Sequence, residues 1–129
     1  MNLKNQLLLL PAVLLLFFSC GKNTDEVYIR INQAGFNPGD KKEAIVFSHS
    51  PVEDDFRLCS EEGEVLIESL EPLPVSAAGW GKFEHYYRMD FSSLTRDGTY
   101  YIIGSESGSK SVSFRVSPDV YKGYTDDLL

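Results

Sequence analysis

The feature that most constrains this chain is an alternation of apolar and polar residues with period two. It recurs in short runs from Val27 to Val116, each ended by turn-forming residues. A period of two sends successive side chains to opposite faces of an extended strand, whereas a helix needs a period near 3.6. In the clearest run, Phe83, His85, Tyr87, Met89 and Phe91 alternate with Glu84, Tyr86, Arg88 and Asp90, which predicts a half-buried strand with the first set inward. Val27, Ile29 and Ile31 form an earlier run that Asn37-Pro38-Gly39-Asp40 breaks. Ala44 to Phe47 is short and apolar, and Ser60-Glu61-Glu62-Gly63 separates Phe56 and Leu58 from Val65-Leu66-Ile67 as in a hairpin. Leu70 to Val75 holds Pro72 and Pro74, which donate nothing to a ladder, so it is an edge strand or an extended connection. Tyr100 to Ile103 follows Asp97-Gly98. After the polar turn Gly104 to Ser109, Val112, Phe114 and Val116 alternate with polar residues. The expectation is an all-β fold, an antiparallel β-sandwich of about seven short strands over residues 27–117.

The N-terminus follows a different rule. Lys4 supplies a positive start, and Leu7 to Phe18 is an almost unbroken apolar stretch ending at Ser19-Cys20-Gly21. That run is shorter than the roughly 20 residues needed to cross a bilayer, so residues 1–19 read as a signal peptide. A small residue before cysteine resembles the lipobox of bacterial lipoproteins, in which Cys20 is acylated and becomes the mature N-terminus. Simple cleavage and a retained anchor are the alternatives, and Phe17 and Phe18 depart from the usual residues of that motif. Residues 20–26 are polar and read as a tether to the membrane. The implied location is exported, lipid-anchored to the cell envelope at the outer membrane.

Composition narrows the partners. The net charge is −7, and removing residues 1–19, with Lys4 and no acid, makes it −8. An acidic body without a Lys/Arg cluster offers no phosphate neutralisation, which argues against nucleic acid. The roughly 110 residues left after residue 19 close a single core. Once Cys20 is lipidated, only Cys59 remains and no internal disulfide is available. Cys59 then reads as a small buried apolar residue, with a reactive thiol as the alternative. His49 and His85 lack a second ligand at a recognisable spacing, so no metal is expected, and no phosphate loop or nucleophile elbow points to a cofactor or to serine chemistry. His85 reads as a packed histidine among Phe83, Tyr87 and Met89.

Leu94, Gly98 and Tyr100, with Tyr six residues after Leu and a glycine turn between, resemble the tyrosine corner of immunoglobulin-like and fibronectin type III sandwiches. A wider resemblance runs through Ile29-Arg30-Ile31-Asn32-Gln33-Ala34-Gly35-Phe36 with Pro38. It continues in Asp90-Phe91-Ser92-Ser93-Leu94 leading into Asp97-Gly98-Thr99-Tyr100, and in Phe114-Arg115-Val116. Together these resemble the N-terminal immunoglobulin-like domain of family 9 glycoside hydrolases, the cellulase Ig-like module. The resemblance implies a partner in cis, a large (α/α)6 catalytic barrel. Residues 118–129 are then a linker and the start of that barrel, with Tyr121 to Leu129 like the beginning of its first helix. The family's Asp-Ala-Gly-Asp type motif and distant glutamate acid are not in this sequence, so no catalytic residue carries over. The expectation is a non-catalytic module of a truncated or split enzyme, with a free-standing surface lipoprotein that binds glycan or protein as the alternative.

Glycosidic cleavage requires two carboxylates across a cleft, one of raised pKa. Glu53, Asp54, Asp55, Glu61, Glu62 and Glu64 cluster at turns and read as a solvated face. Asp126 and Asp127 read as helix-start residues that favour the positive end of the dipole. Trp80, between Gly79 and Gly81, and nearby Tyr86 are the candidate contacts for an adjoining domain or for β-glucan. The domain contact is preferred, since one indole is a thin sugar platform, and a plain packing role for Trp80 is the bland alternative.

Overall fold

The structure is a computed structural model and describes residues 25–76 and 81–126. Residues 1–24, which hold the expected signal peptide, Cys20 and most of the expected tether, lie outside the described residues, as do Trp80 and Asp127. Among the described residues there are eight strands: β1 (Tyr28–Arg30), β2 (Glu43–Ser48), β3 (Phe56–Ser60), β4 (Val65–Leu70), β5 (Leu73–Pro74), β6 (His85–Asp90), β7 (Gly98–Gly104) and β8 (Phe114–Val116). One helical turn, α1 (Lys122–Asp126), follows. The strands form two four-stranded antiparallel sheets, ordered β1-β2-β6-β5 and β4-β3-β7-β8. This is the antiparallel sandwich expected from the alternation, in the immunoglobulin-like arrangement that the resemblance implies, with the first sheet matching the A-B-E-D order. The count exceeds seven by the two-residue β5, which lies at a sheet edge within the proline-bearing stretch.

The core lies between the sheets. Ile29, Ala44, Val46, Tyr87 and Met89 face inward from the first sheet, and Phe56, Leu58, Leu70, Tyr100, Ile102, Phe114 and Val116 from the second. At one end Phe36, Phe91 and Phe114 close the sandwich edge to face, with Phe36 5.5 and 5.8 Å from the other two rings. Register shifts between β3 and β4 around Leu58 explain why Leu58, Cys59 and Ser60 are buried in succession, which strict alternation would not allow. Cys59 is thus buried and carries a free thiol.

Two positions leave the expected pattern. Phe83 does not share the inward face of Tyr87. The strand begins only at His85, after a turn at Gly81–Lys82 and a bend at Glu84, and the Phe83 ring packs on the outer face against Phe47. His49, rather than the predicted His85, is the histidine whose ring lies against Phe83, at 4.8 Å. Val112 precedes β8 and is 49% exposed, because the strand pairs only from Phe114 onward.

The register fixes two poles. β1 starts opposite Phe47, and Ser48 lies opposite His85, so the chain arrives at the pole that also holds the β2–β3 connection. Gly98 pairs with Val116 at the other pole, where the chain leaves the sandwich.

Candidate functional site

Tyr86 stands in an aromatic row on the outer face of the first sheet. The register sets Tyr28 opposite Phe47 and Phe47 opposite Tyr86, so three adjacent strands each contribute one ring. Tyr28 and Phe47 stack at 5.4 Å and 11°, and Phe47 and Tyr86 at 6.2 Å and 30°. Phe83 tilts across the row, 4.5 Å from Phe47 and 5.3 Å from Tyr28, and the Arg30 guanidinium sits 5.9 Å from the Phe47 centroid. Near-parallel rings at 5.4 Å cannot lie side by side in one plane, because their edge hydrogens would collide. Each therefore covers part of its neighbour's face, and a sugar-stacking platform needs faces left open. A groove of about 410 Å³ runs beside this row, lined by Arg30, Phe47, Gly81, Lys82, Phe83 and Tyr86. The Tyr28 hydroxyl is bonded to the Glu26 carboxylate, which pushes the phenol pKa up.

An open cleft of about 770 Å³ lies at the same pole, with Glu53, Asp54, Asp55 and Glu106 along it. Asp54 has a structural task there. Its carboxylate accepts the amides of Glu106 and Ser107 at 2.8 and 3.1 Å and so pins the β7–β8 turn. Among the described residues no three His, Cys, Asp or Glu side chains gather as a metal site. Glu64, through its bonds to Arg96, and Asp90, through the Ser92 amide, are both held below the ordinary carboxylate range. A general acid of a glycosidase needs the opposite displacement.

At the far pole Tyr100 is 1% exposed, and its hydroxyl donates to the Arg96 carbonyl oxygen at 2.7 Å. Leu94 is buried in the same core. A Cβ at Gly98 would come 2.9 Å from the Tyr100 hydroxyl, so the glycine leaves room for the ring. The stretch Asn32 to Lys42 lies at the same pole. Lys42 is fully buried, and its ammonium donates to the carbonyls of Pro38 and Asp40 at 2.7 and 2.9 Å. Sequence reasoning passed over Lys42. Its signal was the period, since Lys42, Ala44, Val46 and Ser48 alternate onto the inward face of β2 and of the residue before it.

Residues 24–109 match the family described as Cellulase N-terminal ig-like domain. Endoglucanase D of Acetivibrio thermocellus is 31% identical over 94 residues, which is 73% of this chain and 14% of that protein. The chain thus spans about one seventh of the curated relative. Among solved structures, one described as Bacteroides ovatus GH9 superposes with a TM-score of 0.62 at 27% identity, over 76% of this chain and 17% of that one. A metagenome-derived glycoside hydrolase family 9 endoglucanase gives 0.62 at 25% identity, over 75% and 19%. With more than half of its residues under the family match, this chain belongs to the family of cellulase N-terminal Ig-like domains.

Proposed function

We propose that this domain is the non-catalytic accessory module of a family 9 glycoside hydrolase active on β-glucan, stabilising and positioning a catalytic domain joined to it in cis. The observation that carries the reading is the family match over most of the sandwich, with relatives named endoglucanases of which the matched part is a small fraction. The carboxylates of the sandwich support it by their tasks, since Asp54 holds a turn and Glu64 pairs with Arg96. Cleavage of the glycosidic bond then belongs to residues outside the sandwich, and this module contributes geometry and stability.

The reading includes the membrane. Acylation of Cys20 would suspend the module from the outer membrane through residues 20–26, and several acyl chains hold firmly at about 0.8 kcal/mol per buried methylene. Support comes from the apolar run Leu7 to Phe18 and from the Ser19-Cys20 step.

A paired experiment tests the module. The purified domain, incubated with soluble β-glucan, should release no reducing ends. Joined in cis to a family 9 catalytic domain, it should raise the melting temperature of that domain by several degrees. Turnover by the sandwich alone, or a catalytic domain indifferent to its presence, would sink the proposal. On affinity gels containing β-glucan the domain should migrate unretarded, and retardation abolished by Trp80→Ala would replace domain contact with glycan binding.

A further inference from the structure

The segment after β8 begins as a linker is expected to, with Ser117-Pro118-Asp119. Its backbone is nevertheless bonded to a loop that lies some 80 residues earlier in sequence. The Phe36 amide donates to the Arg115 carbonyl at 2.9 Å, and the Ser117 amide returns the bond to the Phe36 carbonyl at 3.0 Å. Gly35, at φ +87°, is pressed against the same segment. A Cβ there would meet the Arg115 carbonyl oxygen at 2.5 Å and Val120 Cγ2 at 2.6 Å, so only glycine fits.

The grip is completed by side chains. The Tyr121 hydroxyl has one proton, and two acceptors stand within reach, the Gly35 carbonyl at 3.1 Å and Asp40 Oδ2 at 3.2 Å. Asp40 Oδ2 also accepts the Asn37 amide at 2.8 Å, which orients the carboxylate toward the phenol. Beneath the loop, the buried Lys42 ammonium holds the Pro38 and Asp40 carbonyls. Burying a lysine costs free energy unless its donors are used, and here they fix the shape of the loop that carries Asp40. The helical turn α1 starts directly after Tyr121, with the Lys122 amide bonded to the Asp119 carbonyl and an ion pair between the same two residues.

We infer that the Gly35 to Lys42 loop is a latch on the departing chain. Asp40 and the Gly35 carbonyl hold Tyr121, so the polypeptide leaves the sandwich in one fixed direction instead of through a flexible linker. Asp40, Lys42 and Tyr121 are positioning residues. The consequence, that a catalytic domain joined after the sandwich is held at a set angle to it, rests on the accessory-module reading. The latch itself does not.

Nuclear magnetic relaxation and amide exchange on this chain test it. In the wild type the amides of Ser117, Val120 and Lys122 should be as rigid on the ps–ns timescale as those of β8. In the double variant Tyr121→Phe, Asp40→Asn, those of Val120 and Lys122 should exchange at least about tenfold faster, while the β2 and β7 amides are unchanged. Tyr100→Phe serves as a control that weakens the fold at the same pole without touching the latch, and it should leave the exit amides slow. Should Asp40→Asn fail to fold, Tyr121→Phe alone, which removes one oxygen atom, decides. Exit amides already mobile in the wild type, or equally rigid in the variant, overturn the latch. Either outcome leaves the family membership and the stabilisation in cis standing, and failure of the latter leaves the latch standing.

Discussion

A single oxygen shows how a local contact is given weight by burial. The Tyr100 hydroxyl reaches back only four residues, to the Arg96 carbonyl, yet its ring is buried in the core beside Phe114. Water cannot replace the bond without opening the core. Tyr100→Phe leaves the carbonyl short of a donor while keeping the ring, so it should destabilise the domain by about 1 kcal/mol or somewhat more. Chemical denaturation followed by Trp80 fluorescence measures this, and an unchanged midpoint would strip the hydroxyl of its role. Lys42 makes the same point with a charge. Its neighbour Lys41 sits in water beside Glu43, whereas Lys42 is enclosed and bonded to backbone, although both are written alike.

At the scale of elements, β2 decides most of the packing. It pairs along its length with β6 and with all of β1, and it sends Ala44, Val46 and Ser48 inward while Phe47 joins the outer aromatic row. The two faces of the sheet differ in how they stabilise. Met89, on β6, is fully enclosed, so Met89→Ala should cost about 2–5 kcal/mol through lost transfer and the cavity left behind. Phe47 is larger but only half-buried on the outer face, so its removal leaves an open surface that water fills and no enclosed cavity. Phe47→Ala should therefore cost less than Met89→Ala despite removing more atoms, and urea unfolding of the two variants gives the order directly. The reverse order would make the outer row a second core.

For the whole molecule, the two poles have different work. The chain arrives beside the aromatic row and the acidic cleft, and it departs at the pole where Phe36, Phe91 and Phe114 close the sandwich and the loop grips Tyr121. Tyr86 thus lies toward the pole of arrival, so a domain that touches it must extend back along the sheet from the point of departure. An anchor at one pole and a catalytic domain at the other would make the module a spacer of set length between membrane and substrate. Metabolic labelling with a palmitate analogue should mark the wild type and fail to mark Cys20→Ser. Labelling that survives the substitution would remove the anchor from this arrangement.

The sequence alone determined the strands, because alternation is written within a few residues and two prolines announce an edge. It also displayed Leu94, Gly98 and Tyr100 as a group, since the bond that joins Tyr100 to Arg96 spans only one turn of chain. It did not determine which face a residue beside a turn would take, and so Phe83 and Val112 left the expected alignment. Nor did it show that β3 and β4 slip register at Leu58 and bury Cys59. The latch was the least legible feature. Asp40 and Tyr121 meet across 81 positions, and the parallel bridge between Phe36 and Val116 brings their segments together. Tertiary structure decided it, because a hydrogen bond depends on distance in space, and sequence records distance along the chain.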